Sequence, residues 1–255
     1  MPGHSTWLTF ILAGLKDNLS NNAQIIGESV ISGHAPTWMS FEPIIAALFV
    51  VVIILSLAWL ARQRLAKLDE TVIPDDRLTL RTFMEIFLGY FYDLAKGMMG
   101  AERAKKYFPI IGASAIFVFF SNVLALLPGM PVATSNLNIT LGCAIVVFIV
   151  FNIYGLKVNG WGYIKHLAGP AWYLAWLVLP IELISLCVRP ITLAVRLMLN
   201  MSVDHLILGI FVSLVALVIP VPLMVLGCLI VLIQTLVFTL LTTIYISLAT
   251  EHEHH

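Results

Sequence analysis

Two arginines, a glutamate, an aspartate, an asparagine and a histidine stand within residues 182–205, ELISLCVRPITLAVRLMLNMSVDH, in an otherwise oily stretch. At about 100° per residue on a helix, Glu182, Ser185, Arg189, Thr192, Arg196, Asn200 and Asp204 follow one another at steps of three or four and form one slowly drifting polar stripe. A charged side chain at mid-membrane costs at least about 2.5–3.5 kcal/mol on insertion scales, so such groups face a partner, a water-filled path or a moving ion. An arginine stays charged across the physiological range. It therefore favours the ionised form of an approaching carboxylate without releasing its own proton. A histidine titrates near neutrality, so His205 beside Asp204 offers a proton relay, although neighbours on a helix point about 100° apart. The chemistry on offer is the passage of an ion, and the rest of the chain must hold this stripe inside a membrane.

Composition agrees. Of 255 residues, 60% are hydrophobic and only 11% charged, against about 25% charged in soluble domains. Mean hydropathy is +0.98. These values describe an all-α integral membrane protein. A formal net charge of +0 and the lack of a basic stripe interleaved with aromatics argue against a nucleic-acid partner. Cys143, Cys187 and Cys228 sit singly in apolar segments, as buried thiols do, without the spacing of a disulfide pair or a metal site.

Apolar runs place five membrane-embedded helices at residues 41–61, 107–127, 137–156, 171–218 and 223–250. Residues 1–40 form a mixed outer segment whose apolar run, 7–15, lacks the basic flank of a cleaved signal and reads as a short surface helix. Between the first two spans, residues 75–100 repeat apolar positions at helical spacing beside Arg81, Glu85 and Asp93, with a start signal at Pro74, Asp75 and Asp76. That pattern predicts an amphipathic helix on the membrane surface. Pro180 and Pro190 should kink the fourth span, because each removes an internal hydrogen bond. The last two spans exceed the bilayer's thickness and must tilt as a hairpin. Basic residues crowd residues 62–106, with Lys157 and Lys165, so the positive-inside rule sets the N-terminus outside and the C-terminus in the cytoplasm. The tail EHEHH, residues 251–255, reads as a solvated end, since a metal site needs fixed geometry.

The run Arg189-Pro190-Ile191-Thr192-Leu193-Ala194-Val195-Arg196-Leu197-Met198-Leu199-Asn200-Met201 resembles the signature of subunit a of the rotary ATP synthase, an arginine followed four residues later by Asn-Met. Glu182 stands where that family has an upstream glutamate. Asn122 with Leu126-Leu127-Pro128, the polar start Asn136, Asn138 and Thr140, and Gln234 followed by Thr243-Ile244-Tyr245 and Ser247 agree with it as well. The resemblance covers residues 41–249. It implies a non-catalytic stator subunit, without cofactor or metal, in a bacterial inner membrane. Such a subunit has as partners the c-subunit ring, the peripheral-stalk b subunits and the rest of the synthase, and it carries protons, or in some members sodium, through two half-channels.

In that family the arginine matching Arg196 faces the ring's carboxylates. The resemblance then sets Glu182 on the cytoplasmic outlet and Asp204 with His205 on the outer inlet, with Asn200 and Gln234 orienting Arg196 or water. Ser185, Arg189, Thr192, Asn122, Asn138 and Tyr245 are further path-lining candidates. Bland readings stand beside these: Glu182 pairing with Arg189, Arg189 anchoring at the interface, and Asn200 bonding Gln234 simply to join two helices. The sequence departs from the family's commoner pattern at three places. Where Asp204, His205 and Gly227 stand, the family often has glycine, glutamate and a histidine or glutamate. The titratable partner is thus expected to have moved to the fourth span, with Gly227 leaving room. The competing function classes are a stand-alone channel or secondary transporter whose arginines bind an anion, and an intramembrane enzyme. No inverted repeat, metal-ligand spacing or nucleophile constellation supports either.

Overall fold

A computed structural model of the chain describes residues 42–65, 79–127, 130, 132–160, 162, 175–214 and 220–250. The expected N-terminal surface helix and the EHEHH tail lie outside the described residues. Regular structure among the described residues is helical: α1 (Glu42–Leu65), α2 (Leu80–Met99), α3 (Ala101–Ala125), a single 3-10 turn (Ala133–Ser135), α4 (Leu137–Asn159), α5 (Ala175–Leu214) and α6 (Pro220–Ala249). Five of these, all but α2, are long and apolar enough to cross a membrane.

The helix α1 is apolar all round, and Leu48, Val52, Leu55 and Trp59 remain exposed along it, as suits a rod bathed in lipid. Only Ala46 and Val50 are buried among its described side chains. The surface helix α2 starts later than Pro74 suggests. The hydroxyl of Thr79 accepts the Thr82 N–H at 3.4 Å and caps it, and residues 66–78 lie outside the description. Its apolar stripe docks by aromatic contacts: Phe119 of α3 lies 4.8 Å from Phe87 and 6.1 Å from Phe83, centroid to centroid. The opposite side carries the exposed Arg81–Glu85 pair at 2.7 Å.

Gly100 turns the chain from α2 into α3 with φ +80°, a conformation glycine adopts at little cost, while its N–H bonds Lys96 O at 3.0 Å. The helix α3 begins at Ala101, six residues before the apolar run, because its first turns AERAKK are polar yet helix-forming, with Glu102 in the favourable first turn. Pro220 likewise opens α6 before residue 223, since proline at a first helical position forfeits no internal bond.

The core gathers Tyr107, Ile111 and Val118 of α3, Val147 and Phe151 of α4, Leu186, Leu193 and Leu197 of α5, and Phe238 and Ile246 of α6. The buried face of α6 is rich in threonine. Thr235, Thr239, Thr242 and Thr243 each donate to the carbonyl four residues earlier, at 2.8–2.9 Å, so each hydroxyl is satisfied within its own helix. The threonine methyls are left for packing, and α6 lies against α3, whose buried stripe includes the small residues Ala104, Ala115 and Ala125. At one end of the bundle Arg103 Nη1 donates to Thr250 O at 3.5 Å, and Asn159 Nδ2 donates to Ala249 O at 3.3 Å. The α2–α3 turn, the end of α4 and the end of α6 therefore share one membrane face.

The helix α5 runs unbroken for 40 residues with Pro180 and Pro190 inside it, and α6 for 30. At about 1.5 Å per residue they measure about 60 and 45 Å, against a hydrocarbon core of about 30 Å, so both cross obliquely.

Candidate functional site

The two faces of α5 differ in kind. Leu186, Leu193, Ala194, Leu197 and Met201 are buried in the bundle, whereas Val188, Ile191, Leu199 and Val203 are exposed large hydrophobics. Arg196 stands among the second set, exposed, near the middle of the span Trp176–Phe211. It makes no ion pair or hydrogen bond with the described residues. An arginine presented at mid-membrane, unpaired on an apolar face, is a poor structural element and a good counter-charge for something outside the chain.

Around it the two long helices are joined by an amide pair. Asn200 Nδ2 donates to Gln234 Oε1 at 2.7 Å, with Gln234 only 4% exposed. One turn from Arg196, this bond fixes α5 against α6 and holds a polar patch beside the guanidinium. Thr192, also exposed, donates its hydroxyl to Arg189 O at 2.9 Å, next to the turn freed by Pro190.

Toward the start of α5, Arg189 Nη2 lies 3.7 Å from Glu182 Oε1, and its guanidinium carbon stands 5.4 Å from the Tyr245 ring centroid. Glu182, Arg189 and Tyr245 thus form one cluster across α5 and α6, and half-buried Ser185 lies between the first two in sequence. Both charged side chains keep partial exposure, at 41% for Glu182 and 28% for Arg189.

Toward the other end, Asp204 and His205 are half-buried. A Cβ placed on Gly227 would lie 2.8 Å from Asp204 Oδ2 and 2.8 Å from Leu126 Cδ2, so the carboxylate occupies the space that a side chain on α6 would need. Next to this end, Ser202 donates to Ser135 O at 3.3 Å, and Asn122, buried, accepts from Thr134 Oγ1 at 3.0 Å. The hydroxyl of Ser121 is buried without a hydrogen-bond partner among the described residues.

Two polar ends flanking Arg196 are thereby assembled from residues far apart in sequence. Asn138 is brought elsewhere: it is exposed and lines a groove between α1, α3 and α4 to which α5 contributes nothing. Thr134 and Ser135, which contact Asn122 and Ser202, were not singled out by sequence reasoning. Their only signal is an uncharged, hydroxyl-bearing loop between two spans. No group of three or more metal-ligating side chains occurs among the described residues.

Comparison with known proteins gives the family. The family described as ATP synthase A chain matches residues 44–247. An ATP synthase subunit a from Sorangium cellulosum is 56% identical over 255 residues, covering all of both chains. ATP synthase subunit a 1 of Syntrophotalea carbinolica is 40% identical over 208 residues, 82% of this chain and 85% of the relative. A third, ATP synthase subunit a of a Sulfurihydrogenibium species, is 42% identical over 176 residues, 69% of this chain and 84% of the relative. With a match over nearly the whole membrane region and a full-length relative at that identity, the chain belongs to the ATP synthase subunit a family.

Proposed function

We propose that Arg196 is the fixed charge separating two half-paths for protons, with Glu182, Arg189 and Tyr245 on the outlet and Asp204 with His205 on the inlet. As a subunit a, the chain is a multi-pass, non-catalytic stator of the ATP synthase. It acts in proton translocation with the c-subunit ring and the b subunits. No finding favours a stand-alone channel or an anion transporter.

The observation that carries the proposed residue roles is the exposed, unpaired Arg196 on an apolar face of a spanning helix. A ring carboxylate reaching that face loses its proton beside the guanidinium and regains one after leaving it, because low dielectric otherwise favours the neutral acid. The amide pair Asn200–Gln234 holds the adjoining surface in one shape while the ring moves past. Asp204 against bare Gly227 supplies the inlet's titratable group from α5 instead of α6. Basic residues gathered at the end where α2 meets α3 support a cytoplasmic assignment of that face of a bacterial inner membrane, hence an outer N-terminus and a cytoplasmic C-terminus.

The test is replacement of Asp204 by Asn together with His205 by Gln, in membrane vesicles carrying the whole synthase. Proton uptake from the outer side should slow, and both ATP synthesis and ATP-driven pumping with it. Unchanged rates in both directions contradict the inlet assignment.

A further inference from the structure

Arg189 has two neighbours that compete for its guanidinium. Its Nη2 lies 3.7 Å from Glu182 Oε1, and its guanidinium carbon lies 5.4 Å from the Tyr245 ring centroid. We propose that Tyr245 is a positioning residue whose ring holds Arg189 back from Glu182, so that the carboxylate stays free to take and release a proton. This rests on the assignment of Glu182 to the outlet.

The pair is not closed. A charge-assisted N–H···O bond measures about 2.7–2.9 Å. The chain makes one on its surface, where Arg81 Nε donates to Glu85 Oε1 at 2.7 Å. Glu182 and Arg189 stand on one side of α5, about 10.5 Å apart along its axis, so the arginine must lie along the helix to meet the glutamate. It stops short of a bond, within the range of about 6 Å at which a cation is drawn to an aromatic face.

The ring is the fixed member of this arrangement. It packs on Phe151 of α4 at 5.9 Å between centroids, and Ile246 beside it is buried. One turn further on, Asn159 Nδ2 donates to Ala249 O at 3.3 Å and Arg103 Nη1 to Thr250 O at 3.5 Å, tying this end of α6 to α4 and α3. Arg189 and Glu182 are both partly exposed and have room to move. A guanidinium bonded to a carboxylate holds it ionised and keeps it from taking a proton. Weakening the ring's hold therefore lets Arg189 close on Glu182, and proton exchange slows.

The experiment changes the ring's charge distribution at nearly constant shape. Tyr245→Phe is the reference, and mono- and trifluorinated phenylalanine are placed at the same position by nonsense suppression, in the whole synthase in inverted vesicles. ATP-driven proton pumping is measured per assembled complex. Fluorine drains the negative face that attracts a cation, so pumping should fall along the series, at least threefold from the unfluorinated to the trifluorinated ring. With Arg189→Gln the same series should be flat, since no cation remains to be held. A packing role follows shape and not fluorine. Equal rates along the series with Arg189 present overturn the proposal, as does an equal fluorine effect with Arg189→Gln. Glu182→Gln separates two failures. Slow pumping in that variant beside a flat fluorine series overturns the sharing of Arg189 and leaves the outlet standing. An unaltered rate in that variant overturns the outlet assignment, and this inference with it.

Discussion

The Asp204 carboxylate stands where a side chain on Gly227 would have to go, 2.8 Å from the position of the missing Cβ. Acid and vacancy are therefore complementary across α5 and α6, and each substitution should be read with the other. Gly227→Glu adds a second acid in a filled space and should lower ATP-driven proton pumping at least tenfold. Adding Asp204→Gly frees that space and should recover several-fold of the loss. A double variant no better than the single one would show that the two positions do not share one site.

The amide bond between Asn200 and Gln234 leads to a second expectation. Gln234→Leu leaves Asn200 without its partner and removes a bond worth about 0.5–1.5 kcal/mol. Pumping should fall several-fold. The exchanged pair Asn200→Gln with Gln234→Asn keeps donor and acceptor and should regain part of it. Rates in inverted vesicles measure both.

Glu182 and Arg189 face each other at 3.7 Å with partial exposure, so their pairing contributes about 0–1 kcal/mol to stability. Glu182→Gln should thus leave the thermal stability of the complex nearly unchanged while slowing proton release several-fold. A large loss of stability with an unaltered rate per assembled complex would make the carboxylate a structural partner of Arg189 alone.

Asn122 is 1% exposed and takes the Thr134 hydroxyl at 3.0 Å. Asn122→Ala strands that hydroxyl and should destabilise the helix α3 and 3-10 turn contact by about 1–3 kcal/mol. Faster proteolysis between the second and third spans, measured on assembled complex, is the expected readout. Unchanged proteolysis would show that the bond is dispensable.

The polar stripe was legible because charge inside an apolar run has no cheap bland explanation, and five spans were legible because bilayer thickness sets a minimum length for an apolar helix. The missing parts have physical reasons. Hydropathy marks where a helix is oily and not where it is helical, so the polar first turns of α3, residues 101–106, escaped the apolar run. An evenly apolar helix such as α4 does not announce which face is buried. Asn138, at the start of that helix, lines the groove beside α1. Thr134 meets Asn122 through a loop whose course no periodicity predicts. Gly227 was read as room for a relocated acid, and the packing of Asp204 against it gives that reading a geometry.

Everything in the account turns on Arg196 acting as an unpaired charge toward the rotor. Arg196→Ala, assembled in the whole synthase and reconstituted in vesicles, tests this most directly by simultaneous measurement of ATP synthesis and ATP-driven proton pumping. Assembly should be retained while both coupled activities fall below detection. Coupled ATP synthesis persisting at a substantial fraction of the unsubstituted rate would contradict the central claim.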